Sequence, residues 1–413
     1  MPTVETIVIG AGQAGLAMSR CLTDADREHV VFERGHVAER WTSERWDSLR
    51  LLTPNWMTRL PGWSYDGPDP AGYMTAAELA RHLEAYARSF SAPVEHATMV
   101  SELTAASDGG YGVSTDRGTW TAANVVIATG WCDRPHVPTF ASGLDAAIHQ
   151  TTPSAYRNPA QLPDGGVLVV GASATGVQLA DELRRAGRDV VLAVGDHTRL
   201  PRRYRGMDIY WWLDRLGVLD KTIDAMGDRS RAMSEPSLQL IGRPTNESVD
   251  LATLQAAGIR LAGRVVNASG TAVRFADDLA ATTAAADARL RRVVAAIDHY
   301  VDSRGLAAEV LAPVVPSPVH PAPGPERLDL RAAGITSVLW ATGFRRSYPW
   351  LRLPALDRHG ELRHDRGVTP LPGLYVLGQR FQHRRNSHMI DGVGRDAVYV
   401  AEHLSARLAT RAA

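Results

Sequence analysis

The most informative part of the sequence reads Thr6-Ile-Val-Ile-Gly10-Ala-Gly12-Gln-Ala-Gly15-Leu-Ala. A β-branched run enters a glycine turn and a helix of small residues leaves it. Glycines at this spacing let the backbone approach a pyrophosphate, while the helix N-terminus supplies N–H donors and a positive partial charge. The next buried strand ends in Glu33, 18 positions after Gly15 and near the roughly 20 expected for a ribose-binding acid. A tight strand–helix turn that binds nothing is the alternative. The predicted dinucleotide contacts are Gly10, Gly12, Gln13, Ala14, Gly15, Glu33 and Arg34.

The same layout recurs as Val167-Leu-Val-Val-Gly171-Ala-Ser173-Ala-Thr-Gly176, with Ser173 in place of the middle glycine. Its small side chain blocks little space, and its hydroxyl can reach a phosphate. The following strand ends without an acid and is followed by arginines, which would accommodate a 2′-phosphate as in NADP. The alternatives are a motif that only packs and a solvated loop whose arginines pair with Asp208 and Asp214. The predicted contacts of this second site are Gly171, Ser173, Ala174, Thr175, Gly176, His197, Arg199 and Arg202.

The other periodic segments arrange themselves around these two units. They predict an α/β fold with two Rossmann-like dinucleotide-binding domains, the second inserted into the first. The expected domains are residues 1–155, 156–330 and 331–413. The supporting segments are a helix at 75–90 with Thr75 as N-cap, a strand at 125–130, an Ala/Arg-rich helix at 279–303, a proline-rich linker at 312–325, strands at 339–344 and 374–378, and a closing helix at 391–410.

Composition excludes several function classes. The 413 residues carry 45 Lys+Arg and 45 Asp+Glu, so we expect no nucleic-acid or membrane partner. The two cysteines, Cys21 and Cys132, are too few for a disulfide scaffold or a CxxC pair and fit a reducing cytoplasm. Apolar runs are short, and a strand-like run starts at Val4, which predicts neither a membrane span nor a signal peptide.

Two dinucleotide sites in one chain indicate electron transfer from a nicotinamide nucleotide to a flavin. A disulfide reductase would need a cysteine pair beside the flavin, which this sequence lacks. Oxygen or a small diffusible acceptor is therefore the expected destination of the electrons.

The chain resembles the class B flavin-dependent monooxygenases, which include flavin-containing, YUCCA-type and Baeyer–Villiger enzymes. The resemblance rests on both glycine motifs, on Ala128-Thr129-Gly130 with later prolines, and on Ala341-Thr342-Gly343-Phe344. It also rests on a stretched form of the family's FxGxxxHxxxY fingerprint, which here is Phe140, Gly143, His149 and Tyr156. It implies FAD at the first motif and NADP(H) at the second.

The resemblance further implies a mechanism and additional site residues. NADPH reduces FAD, oxygen forms a C4a-(hydro)peroxyflavin, and one oxygen atom passes to a small heteroatom-bearing or aromatic substrate. Asn55, His149, Asn386 and His388 are the implied catalytic residues, with one of Asn386, Ser387 and His388 facing the pocket. Further implied cofactor contacts are Arg40, Trp41, Thr129, Gly130, Ala341, Thr342, Gly343, Gly378 and Gln379.

Two other functions stay open. One is an NAD(P)H-dependent FAD oxidoreductase that passes electrons to a quinone or carrier, and the other is a non-catalytic flavin-binding sensor. The sequence favours no metal site, because no carboxylate or cysteine completes a tetrahedral set around His383 and His388. A homodimer is the default expectation for the assembly.

Overall fold

A computed structural model describes residues 1–107 and 109–412. The strands in these ranges are β1 Thr3–Ile9, β2 His29–Phe32, β3 Arg59–Leu60, β4 Trp63–Ser64, β5 Val94–Glu95, β6 Val100–Ala105, β7 Tyr111–Thr115, β8 Gly118–Ile127, β9 Arg134–Pro135, β10 His149–Thr151, β11 Gly166–Val170, β12 Val190–Ala193, β13 Thr198–Arg199, β14 Arg203–Tyr204, β15 Met207–Asp208, β16 Leu238–Gln239, β17 Arg260–Ala262, β18 Val265–Ser269, β19 Ala272–Phe275, β20 Arg327–Asp329, β21 Ile335–Trp340, β22 Phe344–Arg345 and β23 Leu374–Val376. The helices are α1 Gln13–Asp24, α2 Glu39–Ser43, α3 Ala76–Ser89, α4 Ala174–Arg185, α5 Ile209–Arg215, α6 Arg229–Met233, α7 Leu251–Ala256, α8 Leu279–Ser303 and α9 Ile390–Ala412.

The first sheet has the order β5-β2-β1-β8-β7-β6, and β23 also pairs with β8. Strands β5, β2, β1, β8 and β23 run parallel, while β6 and β7 form an antiparallel extension. Both faces of β1 are buried. Val8 packs into the core beneath α1, α3 and α9, whereas Ile7 and Ile9 pack on the opposite face. A strand buried on both faces must be apolar throughout, which explains the β-branched run before Gly10.

The second sheet is parallel throughout and has the order β10-β21-β11-β12-β17. Strand β11 alternates in the same way: Val167 and Val169 face one core, and Leu168 and Val170 face the other. The two glycine motifs therefore stand at the carboxyl ends of the strands β1 and β11. This edge is where open α/β sheets bind ligands.

The domain boundaries expected from the sequence need correction. Strand β21 pairs with β11 and β10 pairs with β21, so residues 149–151 and 335–340 belong to the second sheet. The predicted boundaries at 155/156 and 330/331 therefore move to about 149 and 340. The chain crosses between the sheets on two neighbouring segments, and there β9 and β22 form an antiparallel pair.

Helices and short strands between β12 and β21 form an additional layer next to the second sheet. Helices α5 and α8 share an apolar cluster built around the fully buried Trp212 and Ile297. Met57, from the first part of the chain, joins this cluster, so the layer closes over the space between the two sheets. None of the helices in the described ranges is long and apolar enough to cross a membrane.

Candidate active site and cofactor sites

The two glycine turns have nearly the same backbone geometry. Gly10 and Gly171 both have φ of +107°, a conformation that side chains rarely adopt. Gly12 and Ser173, the N-cap residues of α1 and α4, have φ/ψ of −81/−172° and −78/−170°. This is ordinary extended backbone, which explains why a serine fits in the second turn.

The remaining glycines set how closely each helix packs on its strand. A Cβ atom at Gly15 would lie 1.7 Å from the carbonyl oxygen of Gly10, and one at Gly176 would lie 1.7 Å from that of Gly171. A Cβ at Gly12 would meet no atom within 4 Å. The open side of the turn is therefore the place where a ligand's phosphates can approach the N-terminus of α1.

Each Ala-Thr-Gly segment lies against one glycine turn. A Cβ at Gly10 would lie 2.7 Å from the carbonyl oxygen of Ala128, and one at Gly171 would lie 2.4 Å from that of Ala341. Thr129 and Gly130 thus continue the edge of the first site. Thr342 and Gly343 adjoin the second motif and hydrogen-bond with His136 on the crossing segment.

The residue that follows the second strand is an acid in the first unit and is not an acid in the second, as the sequence indicates. Glu33 is buried, and its carboxylate accepts hydrogen bonds from the N–H groups of Ala11 (2.8 Å) and Gly35 (3.1 Å). Gly10 N–H donates to Phe32 and Gly171 N–H donates to Ala193, so Val194 occupies the position equivalent to Glu33. The fully buried Val194 cannot bind a ribose hydroxyl.

Residues of α2 and the segment before it also stay beside the first turn. Ala38 adopts the left-handed conformation, with φ of +61°, and its N–H donates to Ala11. Arg40 bonds the backbone oxygen of Cys132 and the carboxylate of Asp133, which ties α2 to the loop after β8. Arg34 is exposed and pairs with Glu44.

A cavity of about 610 Å³ opens between the first glycine turn and the helical layer. Gln13 and Trp41 form one wall, and Leu52 and Thr53 continue it. The opposite walls come from the segment after β12, from α5 and α8, and from the segment that leads into α9. The residues that these walls contribute include Asp196, Thr198, Leu200, Tyr210, Leu213, Arg289, Arg292, Val293, Arg380, Phe381, Arg385, His388 and Met389. The position of this cavity beside the first motif makes it the candidate active site.

His388 is the predicted catalytic residue that the structure places in this cavity. Its backbone oxygen accepts a bond from the Gln13 side chain at 3.5 Å, and the Trp41 indole N–H reaches Gln13 at 3.4 Å. Burial, assisted by the positive charge of Arg380, lowers the pKa of His388 to about 4. The imidazole is therefore neutral at pH 7, and its buried Nδ1 has no hydrogen-bond partner in the part of the chain that is described.

Gly378 and Gln379 lie beside the first turn. A Cβ at Gly378, where φ is +82°, would lie 2.8 Å from the Cβ of Ala14. Gln379 is buried, and its Nε2 has no partner among the described residues. The unpartnered donor of Gln379 and the open turn at Gly12 fit a bound dinucleotide, because each offers polar groups that the protein does not use. Glu33 accepts one N–H on each carboxylate oxygen, so lone pairs remain for a ribose hydroxyl.

Asn55 has a structural role, which corrects its expected contact with reactive oxygen. Its side-chain amide donates to the carbonyl of Asp69 at 2.9 Å and accepts from the N–H of Met74 at 2.8 Å. Asn55 is buried and clamps two loops together.

His149 and Asn386 also lie outside the cavity, contrary to expectation. His149 is exposed at the start of the edge strand β10, where it pairs with Ser337. Asn386 is fully buried, and its amide lies 3.5 Å from Asp220 and 3.4 Å from Asp391. Ser387 is fully buried as well, and its hydroxyl accepts from the N–H groups of His383 and Arg384.

The basic residues expected to bind a 2′-phosphate are instead locked in the protein interior. Arg199 pairs with Asp250 at 2.8 Å and with Asp287 at 2.5 Å. Arg202 is fully buried, pairs with Asp208 at 2.6 Å and stacks on Tyr73.

His197 is fully buried too, and its ring bonds the carbonyl oxygen of Gly195. Of the two acids considered as alternative partners of these arginines, Asp208 does pair with Arg202. Asp214, the other acid considered there, pairs with Arg59.

Sequence reasoning missed the arginines that do line the cavity. Arg289 and Arg292 come from α8, and Arg380 and Arg385 follow β23. No motif marks them, because α8 reads as an ordinary surface helix and reaches the cavity only through tertiary packing. A regular i, i+3 spacing of Arg289 and Arg292 was the one available signal, since it places both side chains on one helix face.

The two cysteines are unpaired. Burial raises the pKa of the Cys21 thiol to about 12 and also raises that of Cys132. Both are therefore protonated at neutral pH and are poor nucleophiles.

Comparisons with known proteins agree with this geometry. Residues 7–218 match the family model described as pyridine nucleotide-disulphide oxidoreductase. An uncharacterized CzcO-like oxidoreductase of Geobacillus kaustophilus is 34% identical over 401 residues, which cover 96% of this chain and 97% of that protein. The probable indole-3-pyruvate monooxygenase YUCCA4 of Arabidopsis thaliana is 27% identical over 210 residues, or 49% of this chain and 50% of its own length.

Among solved structures, a flavin-containing monooxygenase from Stenotrophomonas maltophilia has a similar fold. Its TM-score is 0.68 at 20% identity, with 98% of this chain and 99% of that chain covered. The chain therefore belongs to the pyridine nucleotide-disulphide oxidoreductase family. The YUCCA-type relative and the monooxygenase structure confirm the resemblance to class B flavin-dependent monooxygenases, and the chain is an oxidoreductase.

Proposed function

We propose that this protein is an NADPH-dependent FAD monooxygenase that transfers one atom of molecular oxygen to a small substrate. The observation that carries the proposal is the pair of matched glycine turns, each backed by an Ala-Thr-Gly segment, with a cavity beside the first. Two such turns suit one resident dinucleotide and one that delivers hydride. When bound, the flavin supplies the chemistry that activates oxygen, and the protein supplies position and a dry environment.

FAD is proposed at the first motif, where it would make use of the features that the protein leaves open. The N–H groups at the start of α1 would hold its diphosphate, and Glu33 would bind its adenosine ribose. Gln379 would donate its unpartnered amide N–H to the cofactor. Trp41 and His388 would border the reactive end from the cavity side.

NADP(H) is proposed at the second motif, in the inserted domain. The preference for the phosphorylated nucleotide rests on Val194, which removes the ribose acid, and on Arg289 and Arg292 near the segment that follows β12. Arg289 bonds Asp196 and the backbone oxygen of His197 in that segment, and its buried Nε has no partner among the described residues. These two arginines replace Arg199 and Arg202 in the proposed recognition of a 2′-phosphate.

The neutral state of His388 has a chemical consequence. A neutral imidazole can donate or accept one hydrogen bond without placing a cation beside the flavin. It therefore acts by positioning a substrate or cofactor atom, and the apolar walls around it exclude the water that would divert reduced flavin and oxygen to hydrogen peroxide.

The lack of a thiol pair argues against the disulfide branch of this family. Cys21 lies within α1, and burial keeps both thiols protonated. Transfer of electrons to a quinone or carrier is the alternative outcome of the test below. Free thiols also support a cytoplasmic location.

The test uses isotopically labelled oxygen. FAD-loaded protein is incubated with NADPH and ¹⁸O₂ in the presence of amines, thioethers, indoles and ketones, and the products are analysed by mass spectrometry. The proposal predicts a product that carries one labelled atom, formed in step with NADPH consumption. A Gly12→Val variant serves as the control, because its side chain would fill the open side of the turn and prevent FAD binding. Rapid NADPH oxidation with quinones and no labelled product with any substrate would contradict the proposal.

A further inference from the structure

The cavity beside the first motif carries more positive than negative charge. Its charged lining residues are Arg289, Arg292, Arg380, Arg385, Asp196 and Glu235. Arg289 pairs with Asp196 at 2.5 Å, and Arg385 pairs with Glu235. Arg292 and Arg380 are left without an acidic partner among the residues described. Arg292 belongs to the α8 end of the cavity, next to the segment after β12, whereas Arg380 belongs to the end near His388.

Arg380 is a partly buried cation whose hydrogen-bonding capacity is mostly unused. Its guanidinium donates to the backbone oxygen of Glu235 and lies 6.0 Å from the ring centre of Trp131. The Glu235 carboxylate itself is held by Arg385. A guanidinium has five N–H donors, so several remain for a ligand. A cation in such surroundings is stabilised by an anionic ligand that offers charge-assisted hydrogen bonds.

Apolar side chains also line the cavity that holds Arg380. Leu52 comes from the first part of the chain, Leu213 from α5 and Val293 from α8, and Phe381 and Met389 flank the arginine itself. A cavity that combines these apolar side chains with an arginine lacking an acidic partner favours a ligand with an apolar body and one anionic end.

We propose that Arg380 binds the carboxylate of the substrate, and that the substrate is an amphipathic monocarboxylate with an aryl or alkyl body. This inference rests on the proposed monooxygenase function and adds the substrate class. The carboxylate takes no part in the reaction: oxygen transfer to a nitrogen, sulfur or carbon atom of the body consumes one O₂, one NADPH and one proton, and releases water and NADP⁺. Arg380 is thus a binding and orienting residue.

A second anion could use the same arginine. Gly378 lies against Ala14 at the start of α1, so the diphosphate of FAD is the other source of anionic oxygens near Arg380. The two sources differ in what an Arg380 substitution removes. A diphosphate contact would be lost together with FAD, whereas a carboxylate contact would be lost while FAD stays bound.

The experiment compares acids with neutral analogues of the same shape. The holoprotein is titrated with 3-(phenylthio)propanoate, 4-(dimethylamino)benzoate and 5-(methylthio)pentanoate and with the three corresponding amides, and binding is followed by the change in flavin absorbance. The wild-type protein is expected to bind at least one acid roughly tenfold or more tightly than its amide. Arg380→Met should bring this ratio close to one, and Arg380→Lys should retain part of it. Arg215→Met, which removes an exposed arginine that does not line the cavity, is the control and should retain the full ratio.

Three results would overturn the inference. They are a wild-type protein without preference for any acid, an Arg380→Met protein with an unchanged ratio, and an Arg380→Met protein that melts normally as apoprotein but binds FAD at least tenfold more weakly. The titration measures binding without oxygen chemistry, so it tests the carboxylate site independently of the proposed monooxygenase activity. Acid preference without labelled product would leave the carboxylate site standing and refute the monooxygenase.

Discussion

Gly12, the N-cap of α1, and Gly15, in its first turn, should respond differently to the same added methyl group. At Gly15, the new Cβ would lie 1.7 Å from the Gly10 carbonyl oxygen and 2.9 Å from its carbon. Helix and turn must separate by more than 1 Å, and the obstructing atoms are backbone. Overpacking typically costs 1–3 kcal/mol, so we expect Gly15→Ala to lower the free energy of unfolding by about 3 kcal/mol.

At Gly12, the new Cβ would meet no atom within 4 Å, and φ is −81°. Gly12→Ala should therefore change the unfolding free energy of the apoprotein by less than about 1 kcal/mol, as for other tolerated N-cap changes. It should still weaken FAD binding by roughly tenfold or more, because the methyl group occupies the side of the turn where the diphosphate approaches.

Denaturant titration of the apoproteins and fluorescence titration with FAD separate the two effects. Gly176→Ala provides a matched control, since it has the same 1.7 Å conflict with Gly171 in the second unit and should destabilise without a direct effect on the FAD site. Equal apoprotein stability of Gly12→Ala and Gly15→Ala, or undiminished FAD affinity in Gly12→Ala, would refute the reasoning.

Three further predictions follow from the charged groups. Arg199→Met should destabilise the protein by roughly 3–5 kcal/mol, because the buried carboxylate of Asp287 and the partly buried one of Asp250 lose their cation. It should change the KM for NADPH less than twofold. A stable variant that no longer binds NADPH would restore Arg199 as a phosphate ligand. The double substitution Arg289→Met with Arg292→Met should raise the KM for NADPH at least tenfold and the KM for NADH much less. If steady-state assays show an unchanged ratio of the two KM values, these arginines do not recognise the 2′-phosphate. The pKa of His388 is about 4 in the folded protein, below its ordinary 6.5, so the unfolded chain binds the extra proton first and the wild-type protein loses stability as the pH drops from about 6.5 to 4. In denaturant titrations, His388→Gln should gain up to about 3 kcal/mol in unfolding free energy relative to wild type across this pH range. Parallel pH profiles of the two proteins would contradict the assignment.

Local sequence patterns identified most of the elements that form the site. Thr75 is the N-cap of α3, as predicted, and the structure adds a full capping box with Glu78. Helix α8 spans the expected residues 279–303. Both glycine turns are found where the sequence indicates them. These features depend on neighbours within a few residues, so the chain itself carries the signal.

Such patterns could not predict which sheet β21 joins or which groups the arginines contact. An apolar strand fits either parallel sheet equally well, and only tertiary pairing places β21 beside β11. The partners of Arg199 lie 51 and 88 positions away, at Asp250 and Asp287. A basic stretch after a strand therefore had the same appearance whether its arginines faced a phosphate or buried carboxylates.

The cavity shows the same limit. Its walls combine the first turn, α5, α8 and the segment before α9, which are far apart in sequence. The polar run 382–394 contributes Arg385, His388, Met389 and Ile390 to the cavity. Only packing decides that His388 faces the cavity while Asn386 lies against Asp220 and Asp391.

The proposed monooxygenase activity requires that this protein use reduced flavin to activate oxygen. The most direct test is stopped-flow absorbance: FAD-loaded protein is reduced anaerobically with NADPH and then mixed with oxygenated buffer in the absence of substrate. A stabilised oxygen adduct should appear as a species spectrally distinct from both reduced and oxidised flavin, which persists for seconds and yields little hydrogen peroxide. Immediate return to oxidised flavin with stoichiometric peroxide would contradict it.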